Sequence, residues 1–335
     1  MTVRVAINGF GRIGRLTLRA WLQSPRLDME IIAINNRCEA EMAAHLFKYD
    51  SVHGPFHGAV SAGQDHIEID GHPIAYSRED NPRQLPWRAL NIDVVMECTG
   101  QWRDRKAIAG HLDAGAKKVL VSSPVKDGDL TVVYGVNHHR IEARHGIVSN
   151  ASCTTNCLAP VAMVLHDLCG IEHGFMTTIH SYTTDQRLLD NSHGTDRRRA
   201  RAAGLSMIPT STGAARAMGE VLPALKGRID GAALRVPTPN VSLIDLVFTP
   251  ERAVEAQEIN AAMNEAANGA FKGVLGICDE ALVSIDFTHN PASAVFDVSQ
   301  TQIVGDRLAR IGAWYDNEWG FANRMNDTAA FMGKL

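Results

Sequence analysis

Apolar and polar positions alternate with two different periods along the first half of the chain. Short β-rich runs are separated by stretches in which apolar residues recur with helical spacing. The predicted strands are residues 3–7, 30–35, 94–98 and 118–122, and the predicted helices are residues 12–23 and 106–114. A hairpin is predicted at residues 66–76, with its turn at Asp70-Gly71. Strands that alternate with helices indicate a parallel sheet with helical crossovers, so this half predicts an α/β domain.

The second half of the chain contains more β-rich runs and fewer helices. The predicted strands are residues 146–150, 175–182, 231–236, 241–249, 294–297 and 307–315, and the predicted helices are residues 154–168, 214–222, 256–267 and 322–332. This order favours an α+β domain with a mixed or antiparallel sheet and helices on one face. We predict a first domain at residues 1–152, on which a terminal helix at about residues 317–335 packs back, and a second domain at residues 153–316.

Composition and charge exclude several classes of protein. A chain of 335 residues suggests about two domains, and 45% apolar with 21% charged residues is typical of globular proteins. Lys plus Arg number 33 and Asp plus Glu number 37, so the net charge is −4, and no broad basic field exists for a nucleic acid or an anionic membrane. No apolar run approaches the ~18 residues of a membrane span. We therefore expect a soluble cytoplasmic protein without a membrane partner.

The six cysteines do not follow a disulfide or zinc pattern. They include no Cys-x-x-Cys pair, and no cluster of His or Cys completes a metal site around Cys153 and Cys157. We expect reduced thiols and no metal, with Cys157 as a buried structural residue.

A glycine-rich motif follows the first predicted strand and opens the first predicted helix. Gly9, Gly11 and Gly14 have the Gly-x-Gly-x-x-Gly spacing of a dinucleotide-binding turn. The first glycine permits a tight turn, the second lets a pyrophosphate approach the backbone, and the third lets helix and strand pack closely. In this position the motif predicts a Rossmann domain that binds NAD or NADP.

The end of the second predicted strand lacks the usual carboxylate that binds the adenosine ribose. Asn36 stands there and can still form a hydrogen bond to a ribose hydroxyl without repelling a 2′-phosphate. Arg37 follows and could pair with that phosphate, or it could be a solvated surface residue. These residues are compatible with NADP as well as NAD.

Cys153 is the candidate nucleophile. It follows Ser152, a good N-cap residue, and lies in the first turn of a predicted helix, where backbone N–H groups and the helix dipole favour a thiolate. His180 stands at the end of another strand-like run and could serve as its base. A thiol beside a nicotinamide site suggests addition to an aldehyde, hydride transfer from the resulting hemithioacetal, and release of a thioester by a second nucleophile.

Together these residues resemble one family along essentially the whole chain. The motifs that carry the resemblance are NGFGRIGR at residues 8–15, KYDSVHG at 48–54, ECTG at 97–100, ASCTTNC at 151–157, TGAA at 212–215, RVPTPNV at 235–241 and WYDNEWG at 314–320. The sequence is similar to the phosphorylating glyceraldehyde-3-phosphate dehydrogenases.

The resemblance implies a role for each matching residue. Cys153 would be the nucleophile and His180 its base. The implied substrate and phosphate contacts are Ser152, Thr154, Thr183, Arg199, Thr212, Gly213 and Arg235. The implied cofactor contacts are Gly9, Gly11, Arg12, Ile13, Gly14, Asn36, Arg37, Thr99, Gly100, Ser122, Asn191, Ser192 and Asn317, the last through the nicotinamide carboxamide. A homotetramer is implied as well, since the family's S-loop, here about residues 181–207, lines the cofactor pocket of a neighbouring subunit.

Some departures from the family pattern leave alternatives open. Asn36 stands where NAD-preferring members carry Asp, and Asn191-Ser192 stand where they often carry Leu-Pro, so we expect dual cofactor use or a preference for NADP. Erythrose-4-phosphate dehydrogenase is the nearest alternative enzyme, although residues 181–183 and 212–215 follow the glyceraldehyde-3-phosphate pattern. A non-catalytic nucleic-acid-binding relative is a third possibility, against which the intact Cys153, His180 and Arg235 argue.

Overall fold

The computed structural model describes residues 2–24, 26–194 and 196–335. The chain divides into two units, which are described separately. The first comprises the chain up to Tyr134 together with His138–Ser152 and Ala322–Leu335, and the second comprises Gly135–Asn137 and Cys153–Phe321.

The first unit contains a nine-stranded sheet whose central strands are parallel. The strands are β1 (Val3–Asn8), β2 (Met29–Asn35), β3 (Val60–Ala62), β4 (His66–Ile69), β5 (His72–Ser77), β6 (Val94–Glu97), β7 (Lys118–Val121), β8 (Leu130–Thr131) and β9 (Ile147–Ser149). Their order is β3-β4-β5-β2-β1-β6-β7-β9-β8, and only β3, β4 and β5 pair in antiparallel fashion. Because β2 and β6 pair with opposite edges of β1, the strand order reverses there, which is the usual ligand-binding point of such sheets.

Four helices of the first unit lie between these strands. They are α1 (Arg12–Gln23), α2 (Ala40–Lys48), α3 (Arg105–Ile108) and α4 (Gly110–Asp113). The bounds predicted for α1 are confirmed, whereas the single helix predicted at residues 106–114 is wrong, because it is divided into α3 and α4. A Cβ atom at Gly110 would lie 2.8 Å from Cγ of Pro82, so this glycine permits a close packing contact at the cost of helix continuity.

The described residues of the second unit form a seven-stranded mixed sheet and three α-helices that lie wholly within this unit. The strands are β10 (His173–Ser181), β11 (Ile208–Thr210), β12 (Ile229–Val236), β13 (Ser242–Thr249), β14 (Leu275–Cys278), β15 (Ala294–Val304) and β16 (Leu308–Tyr315), and the helices are α5 (Cys153–Cys169), α6 (Ala214–Val221) and α7 (Ala256–Asn268). The order is β11-β12-β10-β13-β16-β15-β14, with parallel pairs at β10–β12 and β14–β15. The mixed sheet predicted for this half is confirmed. The strand predicted at residues 294–297 is too short, since β15 continues along β16 to Val304.

The last helix, α8 (Trp319–Met332), belongs to the first unit from Ala322 onward. Within that unit Asn326 Nδ2 donates to the carbonyl of Thr17 at 3.0 Å, and Thr328 Oγ1 donates to Asn150 Oδ1 at 2.9 Å. Arg26 also forms an ion pair with Asp327. These buried polar contacts attach the C-terminal residues to the first unit.

Within the described residues, no helix is both long enough and apolar enough to cross a bilayer.

Candidate active site

Cys153 begins α5, and His180 lies at the end of β10 in the same unit. The Sγ atom of Cys153 is 3.5 Å from Nε2 of His180. His180 is buried and Cys153 is half-buried. The chain enters α5 through Ala151, a buried residue with a φ of 57°, which is a rare conformation for a side chain other than glycine.

The contacts of His180 define its tautomer. Its Nδ1 atom lies 2.7 Å from the carbonyl oxygen of Ser181, which can only accept a hydrogen bond. Nδ1 therefore carries the proton, and Nε2 presents a lone pair towards Cys153. Arg235 Nη1 is 3.0 Å from the same Nδ1, but it donates instead to the Ser181 carbonyl at 2.9 Å and to Thr183 Oγ1 at 3.0 Å. The imidazole is thus oriented to accept the thiol proton.

Burial and a neighbouring positive charge decide the ionisation of this pair. Burial, followed by the charge on Arg235, lowers the pKa of His180 to about 3. Burial also raises the pKa of the Cys153 thiol, although Arg235 and hydrogen bonds from Thr154 act in the opposite direction. Burial therefore opposes the thiolate that the helix terminus favours. The pair is a thiol and a neutral imidazole at neutral pH.

A buried tyrosine, Tyr315, contacts residues on both elements that carry the thiol and the imidazole. The hydroxyl of Tyr315, at the end of β16, lies 2.9 Å from Thr154 Oγ1 and 2.8 Å from Thr178 Oγ1. Its ring meets the His180 ring edge to face, with the two centroids 5.9 Å apart. Burial raises the pKa of Tyr315, so the phenol stays protonated. Tyr315 thus connects the first turn of α5 to the strand that carries His180.

A chain of polar contacts leads from Arg235 to Arg199. Thr183 donates from its hydroxyl to Asp185, whose other carboxylate oxygen pairs with Arg199 Nη1 at 2.6 Å. Burial opposes ionisation of Asp185, yet the hydrogen bond from Thr183 and the charges of Arg235 and Arg199 together lower its pKa. Arg199 also pairs with Asp196. The structure places Arg235 beside His180, with Thr183 bound to Arg235. Arg199 instead forms ion pairs with two carboxylates.

Thr212 and Gly213 lie at the beginning of α6. Thr212 Oγ1 accepts a hydrogen bond from the backbone of Ala214 at 3.1 Å, and Gly213 is the N-cap residue of the helix. A Cβ atom at Gly213 would meet nothing within 4 Å. The backbone here is open to an approaching anion, as expected at a helix N-terminus.

The glycine motif forms a crevice in the first unit, at the carboxyl end of β1. Gly9 has a φ of 93°, and a Cβ atom there would lie 2.6 Å from the backbone nitrogen of Thr99. A Cβ atom at Gly14 would lie 2.2 Å from the Gly9 carbonyl, whereas one at Gly11 would meet nothing within 4 Å. The first and third glycines are therefore required by packing, and the second leaves open backbone at the N-terminus of α1. This arrangement fits the pyrophosphate of a dinucleotide.

The crevice continues along the ends of the neighbouring strands. A cavity of about 180 Å³ is lined there by Asn8, Gly9, Gly11, Asn35, Asn36, Arg37, Glu79, Asp80, Cys98, Thr99, Gln101 and Trp102. Thr99 donates from its backbone and hydroxyl to buried Glu97. Gly100 has a φ of 66°, and Ser122 directly follows β7. Among the residues of α1, Arg12 pairs with Asp50 at 2.5 Å, and Ile13 is partly exposed in the same turn.

Asn36 and Arg37 lie in this cavity, but both have protein partners. Asn36 Oδ1 accepts from the backbone of Phe10 at 3.3 Å, and its Nδ2 donates to the Cys38 sulfur at 3.0 Å. Arg37 forms an exposed ion pair with Asp80 at 2.9 Å. A 2′-phosphate would have to compete with that carboxylate for Arg37.

The other three predicted cofactor contacts belong to the second unit. Asn317 is buried, and its Oδ1 accepts hydrogen bonds from Ser181 and Ser242, each at 2.9 Å. Asn191 and Ser192 are exposed, with Asn191 Oδ1 accepting from the Ser192 backbone at 2.7 Å.

The match to known proteins covers both units. Residues 3–105 match the family model "Glyceraldehyde 3-phosphate dehydrogenase, NAD binding domain", and residues 152–317 match the corresponding C-terminal domain. The glyceraldehyde-3-phosphate dehydrogenases of Xanthobacter flavus and Cereibacter sphaeroides are each 57% identical over 335 residues, which is 100% of this chain and of theirs. That of Geobacillus stearothermophilus is 48% identical over 333 residues, covering 99% of this chain and 98% of its own.

The chain belongs to the glyceraldehyde-3-phosphate dehydrogenase family. As a member of this family it is an NAD-dependent oxidoreductase, with a Rossmann-type NAD-binding domain and a C-terminal domain.

Sequence reasoning about this dehydrogenase missed the buried residues around the thiol. Tyr315 is far from Cys153 and His180 in sequence, and Ser242 is far from its partner Asn317, so only the fold brings these buried residues to their contacts. Tyr315 stands two residues before Asn317 in a motif already noticed, so alternation along β16 could have indicated that its side chain points inward.

Proposed function

We propose that this chain is a phosphorylating glyceraldehyde-3-phosphate dehydrogenase that oxidises its substrate through a thioester on Cys153. The observation that carries the proposal is the 3.5 Å contact between Cys153 Sγ and the unprotonated Nε2 of His180. Geometry of this kind supports a thiol that attacks as its proton moves to a base.

The first step is addition of the thiol to the aldehyde of glyceraldehyde 3-phosphate. The Cys153 sulfur bonds to C1 while its proton passes to His180 Nε2, and His180 returns that proton to the carbonyl oxygen to give the hemithioacetal. His180 then removes the hydroxyl proton as C1 loses hydride and becomes a thioester carbonyl. The chemistry that bound NAD supplies is acceptance of this hydride. Inorganic phosphate finally attacks the thioester carbonyl and the bond between C1 and the sulfur breaks. The Cys153 sulfur takes the proton held by His180 as 1,3-bisphosphoglycerate is released.

Arginine side chains, hydroxyl groups and accessible backbone N–H groups would bind the two phosphates of this reaction. Arg235 and Thr183 contact each other beside His180 and would bind the phosphate on C3 of the substrate, joined by Arg199 if its carboxylate partners release it. Ser152, Thr154, Thr212 and Gly213 would bind inorganic phosphate, for which the open backbone at the start of α6 offers N–H donors.

The first unit would hold the cofactor through the residues of its glycine turn and strand ends. The pyrophosphate would lie at Gly11, Arg12 and Ile13, and Thr99, Gly100 and Ser122 would line its path. Asn317 is proposed as the ligand of the nicotinamide carboxamide. The open backbone at Gly11 supports this assignment, since a bound anion needs direct access to the N–H groups of α1.

We also propose that NADP is accepted beside NAD. Asn36 places no carboxylate at the end of β2, and Arg37 lies in the same cavity. Asp80 pairs with Arg37, so NADP binding requires Arg37 to exchange one anion for another. We therefore expect dual use in which NAD remains a good cofactor.

The oligomeric state and the cellular location are also part of the proposal. We propose a homotetramer in which residues 181–207 contact a neighbouring subunit, because Leu188, Leu189, Leu205 and Met207 are strongly exposed apolar residues in this segment. All six cysteines are free thiols, which supports the reducing cytoplasm as its location.

Steady-state kinetics test the proposed activity. We expect NADH formation from glyceraldehyde 3-phosphate to depend on inorganic phosphate, with kcat/KM well above that for erythrose 4-phosphate. A higher kcat/KM for erythrose 4-phosphate would favour the alternative enzyme. Turnover that does not need phosphate or another acyl acceptor would exclude the phosphorylating mechanism.

A further inference from the structure

Ser181 contacts two different functional groups through two different atoms. Its carbonyl oxygen lies 2.7 Å from His180 Nδ1 and accepts a hydrogen bond from Arg235. Its side-chain hydroxyl donates to Asn317 Oδ1 at 2.9 Å. Ser181 is completely buried, so both contacts are sheltered from water. One residue thus touches the proposed base and the proposed carboxamide ligand.

A second serine binds the same oxygen of Asn317. Ser242, at the start of β13, lies beside Ser181 because β10 and β13 pair in antiparallel fashion. The backbone N–H of Ser181 donates to Ser242 Oγ at 3.1 Å, and Ser242 Oγ lies 2.9 Å from Asn317 Oδ1. Ser242 is buried as well. Asn317 Oδ1 therefore receives two hydroxyl contacts in a dry environment.

The direction of these hydrogen bonds follows from the available donors. Ser242 Oγ already accepts from a backbone N–H, and its own proton needs an acceptor. Among the described residues, neither serine hydroxyl has another acceptor within hydrogen-bond distance. Both protons consequently point to Asn317, and only the oxygen end of its amide can accept them.

The nitrogen end of the amide is thereby fixed as the outward-facing donor. Asn317 Nδ2 donates to no residue in the part of the chain that the structure describes. If the amide rotated by a half turn, its oxygen would take the place of the nitrogen, and a hydrogen-bond donor would be replaced by an acceptor. The rotated amide would leave both buried serine protons unpaired, which is costly in a protein interior.

We propose that Ser181 and Ser242 are positioning residues that fix the Asn317 amide with Nδ2 directed at the carboxamide oxygen of the nicotinamide. This inference rests on the proposed role of Asn317. A fixed donor at this point would hold the carboxamide in one orientation, so that a single face of the nicotinamide ring meets the substrate carbon. Loss of one hydroxyl would remove one of the two hydrogen bonds that oppose rotation, so a fraction of the amide would rotate and the ring would bind in a second orientation.

The experiment compares Ser181→Ala and Ser242→Ala with Ser293→Ala in the full-length enzyme. Ser293 is a matched control, because it is also buried in the second unit and its hydroxyl has no partner among the described residues. Isothermal titration calorimetry gives the Kd for NAD. Since one neutral hydrogen bond contributes about 0.5–1.5 kcal/mol, each of the first two variants should raise the Kd by roughly two- to tenfold. Ser293→Ala should leave it unchanged.

Two further measurements separate positioning from a general structural role. The rate of Cys153 alkylation by iodoacetamide should stay near that of the native enzyme, because Ser181→Ala keeps the carbonyl that orients His180. Transfer of deuterium from aldehyde-deuterated glyceraldehyde 3-phosphate should mark one face of NADH in the native enzyme and both faces in the variants, as read by NMR. Ser181→Thr, which keeps a hydroxyl, should restore transfer to one face.

The outcomes distinguish this inference from the proposed function on which it rests. If Asn317→Ala leaves the Kd for NAD unchanged, Asn317 does not bind the cofactor, and both ideas fail at that residue. If Asn317→Ala weakens binding while the serine variants behave like Ser293→Ala, only the positioning role is overturned. Variants that lose alkylation rate and melting temperature together with NAD binding would also overturn it, because they would show a structural role.

Discussion

The two candidate sites of this chain are built from different parts of the polypeptide. The crevice of the first unit depends on the backbone conformation at Gly9 and on the open backbone at Gly11, next to the ends of β1 and β2. The thiol site of the second unit is formed by side chains, in which His180 contacts both Cys153 and the ring of Tyr315. A backbone site requires particular torsion angles over a short segment, whereas a side-chain site requires several distant strands to pair correctly.

This difference predicts that each site can be damaged without the other. Substitution at the thiol should abolish chemistry while NAD binding survives, and substitution in the glycine turn should weaken NAD binding while the thiol keeps its reactivity.

The largest effect is expected for Cys153→Ser. A serine hydroxyl is a far weaker nucleophile than cysteine sulfur at neutral pH, so kcat/KM should fall by several orders of magnitude. The Kd for NAD, measured by calorimetry, should change by less than about twofold, because the glycine turn is untouched. Near-native turnover in this variant would contradict the covalent mechanism.

His180→Asn should cause the next largest loss. Removal of a general base typically costs about 10²–10⁴-fold, and kcat should fall by that amount. Alkylation of Cys153 by iodoacetamide should also slow at neutral pH, since the thiol proton loses its acceptor at 3.5 Å. An unchanged alkylation rate and an unchanged pH profile would remove His180 from this role.

Gly9→Ala tests the backbone site. Its Cβ atom would lie 2.6 Å from the Thr99 nitrogen at a φ of 93°, so the turn must shift, and the Kd for NAD should rise by roughly tenfold or more. The alkylation rate of Cys153 should be retained. Gly11→Ala provides the control, because its Cβ atom meets no protein atom within 4 Å, so any loss of affinity there comes from the ligand alone. Full NAD affinity in both variants would refute the assignment of the turn.

The smallest effect concerns cofactor choice. Asn36→Asp should add a like charge near the 2′-phosphate of NADP, and charges a few ångströms apart at a partly wet site interact by about 1–4 kcal/mol. The NAD/NADP ratio of kcat/KM should therefore rise by about tenfold or more. Arg37→Ala should shift the ratio in the same direction through NADP alone. If native enzyme does not turn over with saturating NADP and neither substitution changes the ratio, dual use is wrong.

The same contrast explains what the sequence could predict. The helix at Arg12–Gln23 was predicted with correct bounds because the positions of the glycines and the helical spacing of the apolar residues indicate the same short segment. The division between α3 and α4 at Ala109 was not predicted, and the close approach of Gly110 to Pro82 beside it is a contact that the local sequence does not show. The extension of β15 to Val304 likewise depends on its pairing with β16.

Side-chain networks were the least predictable feature. Nothing local to Ser242 indicates that it binds Asn317, because that contact requires β13 to pair with β10 in one register. The ionisation of Cys153 likewise depends on the fold. The helix terminus is visible in the sequence, but the burial that opposes the thiolate results from tertiary packing.

The most direct test of the central claim is to identify the acyl group on Cys153. Enzyme mixed with NAD and glyceraldehyde 3-phosphate in the absence of phosphate should be quenched with acid and analysed by peptide mass spectrometry. We predict about one equivalent of NADH per active thiol and a phosphoglyceryl adduct on the peptide that contains Cys153, removed when phosphate is added before the quench. NADH formation without any adduct on Cys153 would contradict the account.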